Sequence, residues 1–409
     1  MNELAIVCFL MNMKMKITVR KTILLTAILF LQCGSENEPL NVVETTPNPT
    51  PNTPSSTGTT SSNSGTTTTQ EFDRSGMLTF WADSIILPAF TQLETSLNSL
   101  NSAVADFTGN PSQSTLSALR NQWLIAYSHW QYVEMFDIGL AEEMYYKNRM
   151  NLFPANITRL ENNISSRNYD LDMSTHFTAQ GFSGLDYLLF GVGADDDAII
   201  ALYADSSLNY GTYITEITDK MIDLTEQVKA QWEGDYRDSF VQSTENTATS
   251  GLNKMVNDFV YYYEKGYRAN KIGIPAGVFS TGPLPDRIEA YHGEVYAKIL
   301  ALEATTAVRQ FFNGIAYTDP STTGLSLKDY LDYIEADISD KLSVRINDKF
   351  QLAEDKINGL NTNFKQQIQD DNTAMLLTYD AIQSNVVLLK VDMLQKLNVS
   401  VDYADADGD

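Results

Sequence analysis

The stretch "NPSQSTLSALRNQWLIAYSHWQYVEMFD", Asn110 to Asp137, decides the fold class. Leu116, Leu119, Trp123, Ala126 and Trp130 recur at three- and four-residue steps, the spacing that lines up one face of a helix. Asn110 is read as the N-cap and Pro111 as the first helical residue, where its missing N–H costs nothing. Working outward, the same periodicity covers residues 78–107, 198–232, 251–267, 286–312, 327–348, 351–368 and 373–397. Strand patterns are nearly absent, and the Val/Tyr-rich "DFVYYYEKGY" is read as helix from its context. The expected fold is therefore all-α, with two bundle-like helical domains. Two hairpins echo each other, one around residues 93–135 and one around 352–393, so a duplicated four-helix-bundle unit is an alternative to two unrelated bundles. The expected halves are 76–210 and 211–409, with the loop Glu233–Asp235 as the other candidate break.

The chain has 409 residues, 43% of them hydrophobic, enough to bury substantial cores. Its 28 Lys and Arg stand against 52 Asp and Glu, a net charge of −24 that repels phosphate backbones and argues against a nucleic-acid partner. The first residues read as an address. "KMKITVRK" supplies a basic segment, and "TILLTAILFL" (Thr22–Leu31) an apolar one of signal-peptide length, too short to span a bilayer comfortably. Cys33 follows in "QCGSENE", with Gln32 and Phe30 at positions where a lipoprotein signal usually has other residues. The expectation is a lipoprotein leader over 1–33 with Cys33 lipidated, then a disordered Ser/Thr/Pro tether over 34–75 that buries too little apolar surface to offset its ordering entropy. The protein would then sit at the cell envelope, lipid-anchored on an outer-membrane, periplasmic or surface face. Only Cys8 and Cys33 are present, so processing would leave no disulfide, cysteine nucleophile or Cys-ligated zinc in the body.

"GFSGLDYLLFG", Gly181 to Gly191, poses the chemical question. A nucleophile elbow needs G-x-S-x-G after a strand, but Leu185 occupies the last position and no strand precedes. Read as a helix, Ser183 and Asp186 fall at i and i+3 on one face while Leu185, Leu188 and Leu189 pack inward. Two side chains so placed can share a ligand or metal ion.

This stretch resembles the signature of the imelysin family, the insulin-cleaving membrane proteases of peptidase family M75, whose pattern is G-x-H-x-x-E followed by an apolar run and glycine. Gly181 matches the glycine, Ser183 stands at the histidine and Asp186 at the glutamate. "RNQWLIAYSHWQYVEMF" resembles the early family helix with its glutamate, here Glu134, and "RMNLFP" the Arg-x-Asn-x-Trp-Pro block with Phe153 for tryptophan. "KIGIPAGVFSTGPLPDRIEAYH" and the C-terminal segment add to the resemblance, which covers about Leu78 onward. It implies an exported, all-helical protein of two bundle-like domains with a site between them, associated with iron uptake. The implied peptidase activity rests on two ligands where catalytic zinc needs three and an open position. Serine for histidine removes the imidazole, leaving oxygen donors that suit a hard cation such as iron.

Other candidates are fewer. His129 shares the Trp123/Trp130 helix. Glu289 and His292, in "EAYHGEVY", are read as carboxylate and imidazole on one helical face. Arg268 and Arg287 flank the Gly/Pro-rich "GIPAGVFSTGPLP", and "DADGD" ends the chain as an acidic tail. The preferred reading is a non-catalytic binding protein associated with iron acquisition, with Ser183, Asp186, Glu134 and Arg268 around one ligand between the halves. Asp186 and Glu134 are its candidate metal ligands, for iron or another hard cation, and no residue is assigned as catalytic. Partners are a small ligand or metal ion, the membrane through the lipid anchor, and other envelope proteins. Two alternatives stay open: a metallopeptidase of the imelysin type, and a structural or adhesion lipoprotein with a decayed site.

Overall fold

The computed structural model describes residues 71–401. The leader, Cys33, almost all of the tether and the acidic tail lie outside the described residues.

Asp73 opens the first helix, α1 (Arg74–Phe80), by accepting a hydrogen bond from the Gly76 amide. A π-helical segment, Trp81–Ile86, carries the chain directly into α2 (Leu87–Gly109). The next helix, α3 (Gln113–Trp130), buries Leu116, Leu119, Trp123, Ala126 and Trp130, the stripe read from the sequence, and adds Tyr127. Its cap is Ser112 rather than Asn110: the Ser112 hydroxyl takes the Thr115 amide and Thr115 returns a bond to the Ser112 N–H, satisfying two orphan donors at once.

Further along come α4 (Gly181–Asp186) and α5 (Tyr210–Glu233). Helix α5 packs on α2 and α4, and α2 on α3, so these form one group. The expected boundary at 210/211 coincides with the start of α5, which packs on the helices before it. The second group starts with α6 (Gly251–Tyr261), which runs into a long π segment, Tyr262–Gly273. It is completed by α7 (Ala297–Asn313), α8 (Leu342–Asn358) and α9 (Phe364–Val387), with α8 packed on α9 and both α7 and α9 packed on the π segment. Helix α7 also reaches α3 in the first group, and the described residues form one compact unit. The described residues are all-α, with one isolated bridge between Ile315 and Thr323 and no strand. No helix among them is long and apolar enough to cross a membrane.

Periodicity overran several helix ends, each for a local reason. The run 198–232 is two helices because Asp205 and Asn209, the latter left-handed at φ 66°, turn the chain between them. The run 327–348 breaks after Ile334, where the buried Glu335 carboxylate accepts from the Leu342 amide and caps α8. The run 351–368 spans Gly359 and the Asn363 cap of α9, and α9 kinks at Asp371, just before residue 373. Past the short 3-10 turn Pro285–Arg287, residues 288–296 are not helical: Ala290 and Glu294 have φ of 54° and 56°, so Glu289 and His292 do not share a helical face.

All four tryptophans, Trp81, Trp123, Trp130 and Trp232, are fully buried. Each removes apolar area worth roughly 2–3 kcal/mol from water. Trp123 also donates its indole N–H to the Phe182 carbonyl at 3.3 Å, tying α3 to the start of α4. That contact, with Tyr127 stacked on Phe182 at 4.4 Å, fixes how α4 presents its polar face.

Candidate functional site

Helix α4 is short, and glycines set its two approaches. Gly181 has φ of 69°, and a Cβ there would meet the Met150 carbonyl oxygen at 2.2 Å. Gly191 closes the π segment Tyr187–Gly191, and a Cβ there would meet the His292 ring at 2.3 Å. Only glycine allows both approaches, so the segment 149–154 and the loop around 292 close in on α4 from two directions.

Between those glycines, Ser183 and Asp186 do share one face, as their spacing required. Ser183 is buried and donates its hydroxyl to the Leu152 carbonyl at 2.8 Å. Asp186 accepts from the His292 and Gly293 amides, each at 2.8 Å, one on each carboxylate oxygen. Both residues line a cavity of about 170 Å³ with Phe153, Pro154, Ile288 and Tyr291. Burial pushes the Asp186 carboxyl up to about 7, against the pull of the two amides and of Lys365. Burial also lowers the neighbouring His292 to about 4, with the Lys365 charge acting the same way. His292 is therefore neutral at pH 7, and its ring packs edge-on to Tyr187 and Tyr291.

Glu134 lies elsewhere. It lines a second cavity of about 220 Å³ together with Asn151 and Leu152, whereas the next residues, Phe153 and Pro154, line the Ser183 cavity. One extended segment thus contributes to both. Behind Glu134 is an ion cluster that the sequence did not disclose. The Lys271 ammonium sits 2.7 Å from Glu289 and 3.5 Å from Glu134. Asn151 donates to Glu289 at 2.9 Å and accepts from Tyr127 at 2.7 Å. Burial works against the Lys271 charge, but Glu289 and Glu134 together hold it above the ordinary lysine range. Burial raises Glu134, with Lys271 opposing. A lysine interrupting the apolar "NKIGIPAG" was the available signal, since a charge in such a run is buried only with a partner.

The expected constellation therefore comes apart. Arg268 lines neither cavity: its guanidinium donates to the Glu264 carbonyl at 3.0 Å, the Tyr379 hydroxyl at 2.8 Å and the Gln383 side chain, within the second helical group. The assignment of Asp186 and Glu134 as joint metal ligands is corrected as well. They face different cavities, the Asp186 oxygens are engaged by amides, and Lys271 already supplies the cation at Glu134. Among the described residues no three His, Cys, Asp or Glu side chains come together as a metal site. His129 is partly buried with its pKa lowered by burial, and it belongs to neither cavity. Nor is Ser183 an activated nucleophile, since its hydroxyl proton goes to a carbonyl rather than to a base.

The imelysin (peptidase M75) family matches residues 86–389. No curated protein matches the chain. Solved structures share the fold, among them the following two. A putative iron-regulated protein A precursor from Parabacteroides distasonis superposes with a TM-score of 0.66 at 15% identity, covering 80% of this chain and 95% of its own. An imelysin-like protein from Psychrobacter arcticum does so with a TM-score of 0.61 at 15% identity, covering 81% of this chain and 97% of its own. The match over the greater part of its length and the shared helical architecture place this chain in the imelysin family.

Proposed function

We propose that this chain is a non-catalytic binding protein of the cell envelope, connected with iron acquisition, and that it takes a small ligand in the Ser183–Asp186 cavity. One observation carries the reading: the signature positions line a cavity, yet their polar groups are closed onto backbone, Ser183 on the Leu152 carbonyl and Asp186 on the His292 and Gly293 amides. Nucleophilic catalysis requires the hydroxyl proton to pass to a base, and the Ser183 proton goes to the Leu152 carbonyl instead. A cavity of about 170 Å³ is close to the roughly 150 Å³ that holds one aromatic ring, so the ligand presents a compact organic group rather than a polypeptide. The link to iron is supported by the family and by the name of the Parabacteroides relative. Residues that would have to grip a bare ion do not fit one, so an iron ligand would enter as an organic chelate.

Calorimetric titration of the full chain with ferric citrate, with citrate alone and with ferric ion as separate arms, tests this. Binding of citrate or its ferric chelate, reduced at least tenfold by Ala155→Trp at the cavity wall, is the expected result. Absence of heat in the citrate and ferric citrate arms, together with chelator-sensitive cleavage of an unfolded protein substrate, would overturn the reading in favour of a metallopeptidase.

A further inference from the structure

The Glu134 cavity has its own chemistry. The π segment Tyr262–Gly273 widens the helical turn, so Tyr261, Lys265 and Asn270, at steps of four and five residues, all reach the same cavity wall. Gly266 makes room for this, because a Cβ there would meet the Tyr262 ring at 2.6 Å. Glu134 and Asp137, three residues apart in the segment that follows α3, line the same cavity. Glu134 is nine-tenths buried, and its Oε2 has no hydrogen-bond partner among the described residues, with Lys271 at 3.5 Å. Asp137 gives Oδ2 to Lys147 at 2.6 Å and leaves Oδ1 buried and unpartnered. The buried Tyr262 hydroxyl is in the same condition. Buried acceptors without donors cost stability unless something fills them, and these point to a cationic donor.

The other pole is positive. Lys147 is spent on Asp137 and on the Tyr261 ring, 4.9 Å from its ammonium. Lys265 is half-buried on the cavity lining and makes no ion pair among the described residues. The cavity of about 220 Å³ thus holds an unpartnered Asp137 oxygen, a Glu134 oxygen without a hydrogen bond, and the unpaired Lys265 ammonium, with Tyr261 and Tyr262 on the same lining.

We infer that this second cavity binds a small zwitterion of amino-acid size, its ammonium held by Glu134 and Asp137 and its carboxylate by Lys265. Asp137 Oδ1 accepts the charged N–H donor it lacks, Glu134 Oε2 accepts a second at a position where Lys271 reaches only to 3.5 Å, and the Tyr262 hydroxyl completes the ammonium end. A ligand with only an amine leaves Lys265 unpaired, and one with only a carboxylate leaves the buried acceptors unfilled. The proposal does not depend on the Ser183–Asp186 cavity having a ligand.

The test titrates the full chain with free L-amino acids one at a time, each beside its N-acetyl and methyl-ester derivative, read by calorimetry and by thermal shift. At least one free amino acid binds, N-acetylation abolishes binding and esterification weakens it. Glu134→Gln lowers affinity about thirtyfold, as expected for removing the charge from a buried pair. Lys265→Ala lowers it about fivefold, the effect of a partly exposed pair, and at its half-buried position leaves the fold intact if Glu134→Gln does not. No binding by any free amino acid at millimolar concentration, equal binding of the N-acetyl derivatives, or an unchanged Lys265→Ala affinity would each overturn the proposal. Protection by calcium or ferric ion alone, with none by an amino acid, would also overturn it.

Discussion

Asp186 and Lys271 are both sealed ionisable groups in this chain, at 3% and 2% exposure, but the molecule compensates them in different currencies. Asp186 has two amide dipoles and no cation in contact, and burial still raises its carboxyl to about 7. Lys271 has two carboxylates, and despite complete burial it stays charged. Dipoles aimed at a carboxylate soften the desolvation penalty, whereas full opposite charges within about 4 Å reverse it. The first region is consequently adjustable near neutral pH, and the second is a fixed strut between the segment 127–151, the π segment and the 285–296 loop.

Breaking the strut is expected to have the largest effect. Lys271→Met strands Glu289 and Glu134 without a cation, and should cost about 3–5 kcal/mol in the unfolding free energy read from denaturant titration. Adding Glu289→Gln to that variant should recover a large part of the loss, because the penalty is the unpaired charge rather than the missing contact. If the double variant is as unstable as the sum of the two single ones, the cluster is not acting as a unit.

Asp186→Ala comes next, at about 2–3 kcal/mol, for the two amides of the 292–293 loop that it leaves buried and unpaired. The pH dependence sharpens the contrast. With the folded carboxyl raised from 3.8 to about 7, the folded state holds a proton that the unfolded state has released throughout that window. This contribution is fully present below pH 3.8 and is lost as pH rises through about 7, with a slope of up to about 1.4 kcal/mol per pH unit. The stability difference between the native chain and Asp186→Asn, followed from pH 4 to 8, should therefore shift against the native chain as pH rises. A flat difference would mean that the two amides fully compensate the charge.

Smallest is Ser183→Ala, about 1 kcal/mol for one buried hydroxyl-to-carbonyl bond, measured by the same titration. A much larger loss would show that Ser183 organises the cavity rather than closing one bond across it.

The helices were legible because their evidence is local. Leu116 to Trp130 repeats with the helical period, and the stripe is buried wherever the repeat occurs. Ends were less legible, since Asn209, Glu335 and the positive-φ residues Ala290 and Glu294 act through single hydrogen bonds or dihedrals that apolar periodicity does not register. At the site, the shared face of Ser183 and Asp186 followed from a three-residue spacing. What those side chains hold did not, because the Leu152 carbonyl is 31 residues away and the His292 amide 106. Arg268 was placed at the ligand on its charge and its nearness to a Gly/Pro loop, but partners in α9 claim it.

By itself the sequence determined an all-α body, the apolar stripe of α3 and the pairing of Ser183 with Asp186 on one helical face, since all of these depend on neighbours within a turn or two. Only the tertiary structure decided that Glu134 and Asp186 face separate cavities, that Lys271 stands between two carboxylates, and that Arg268 is engaged elsewhere. The physical reason is that a buried charge is governed by whichever groups the packing brings within a few ångströms, and those groups here come from segments 18 to 115 residues or more apart in the chain.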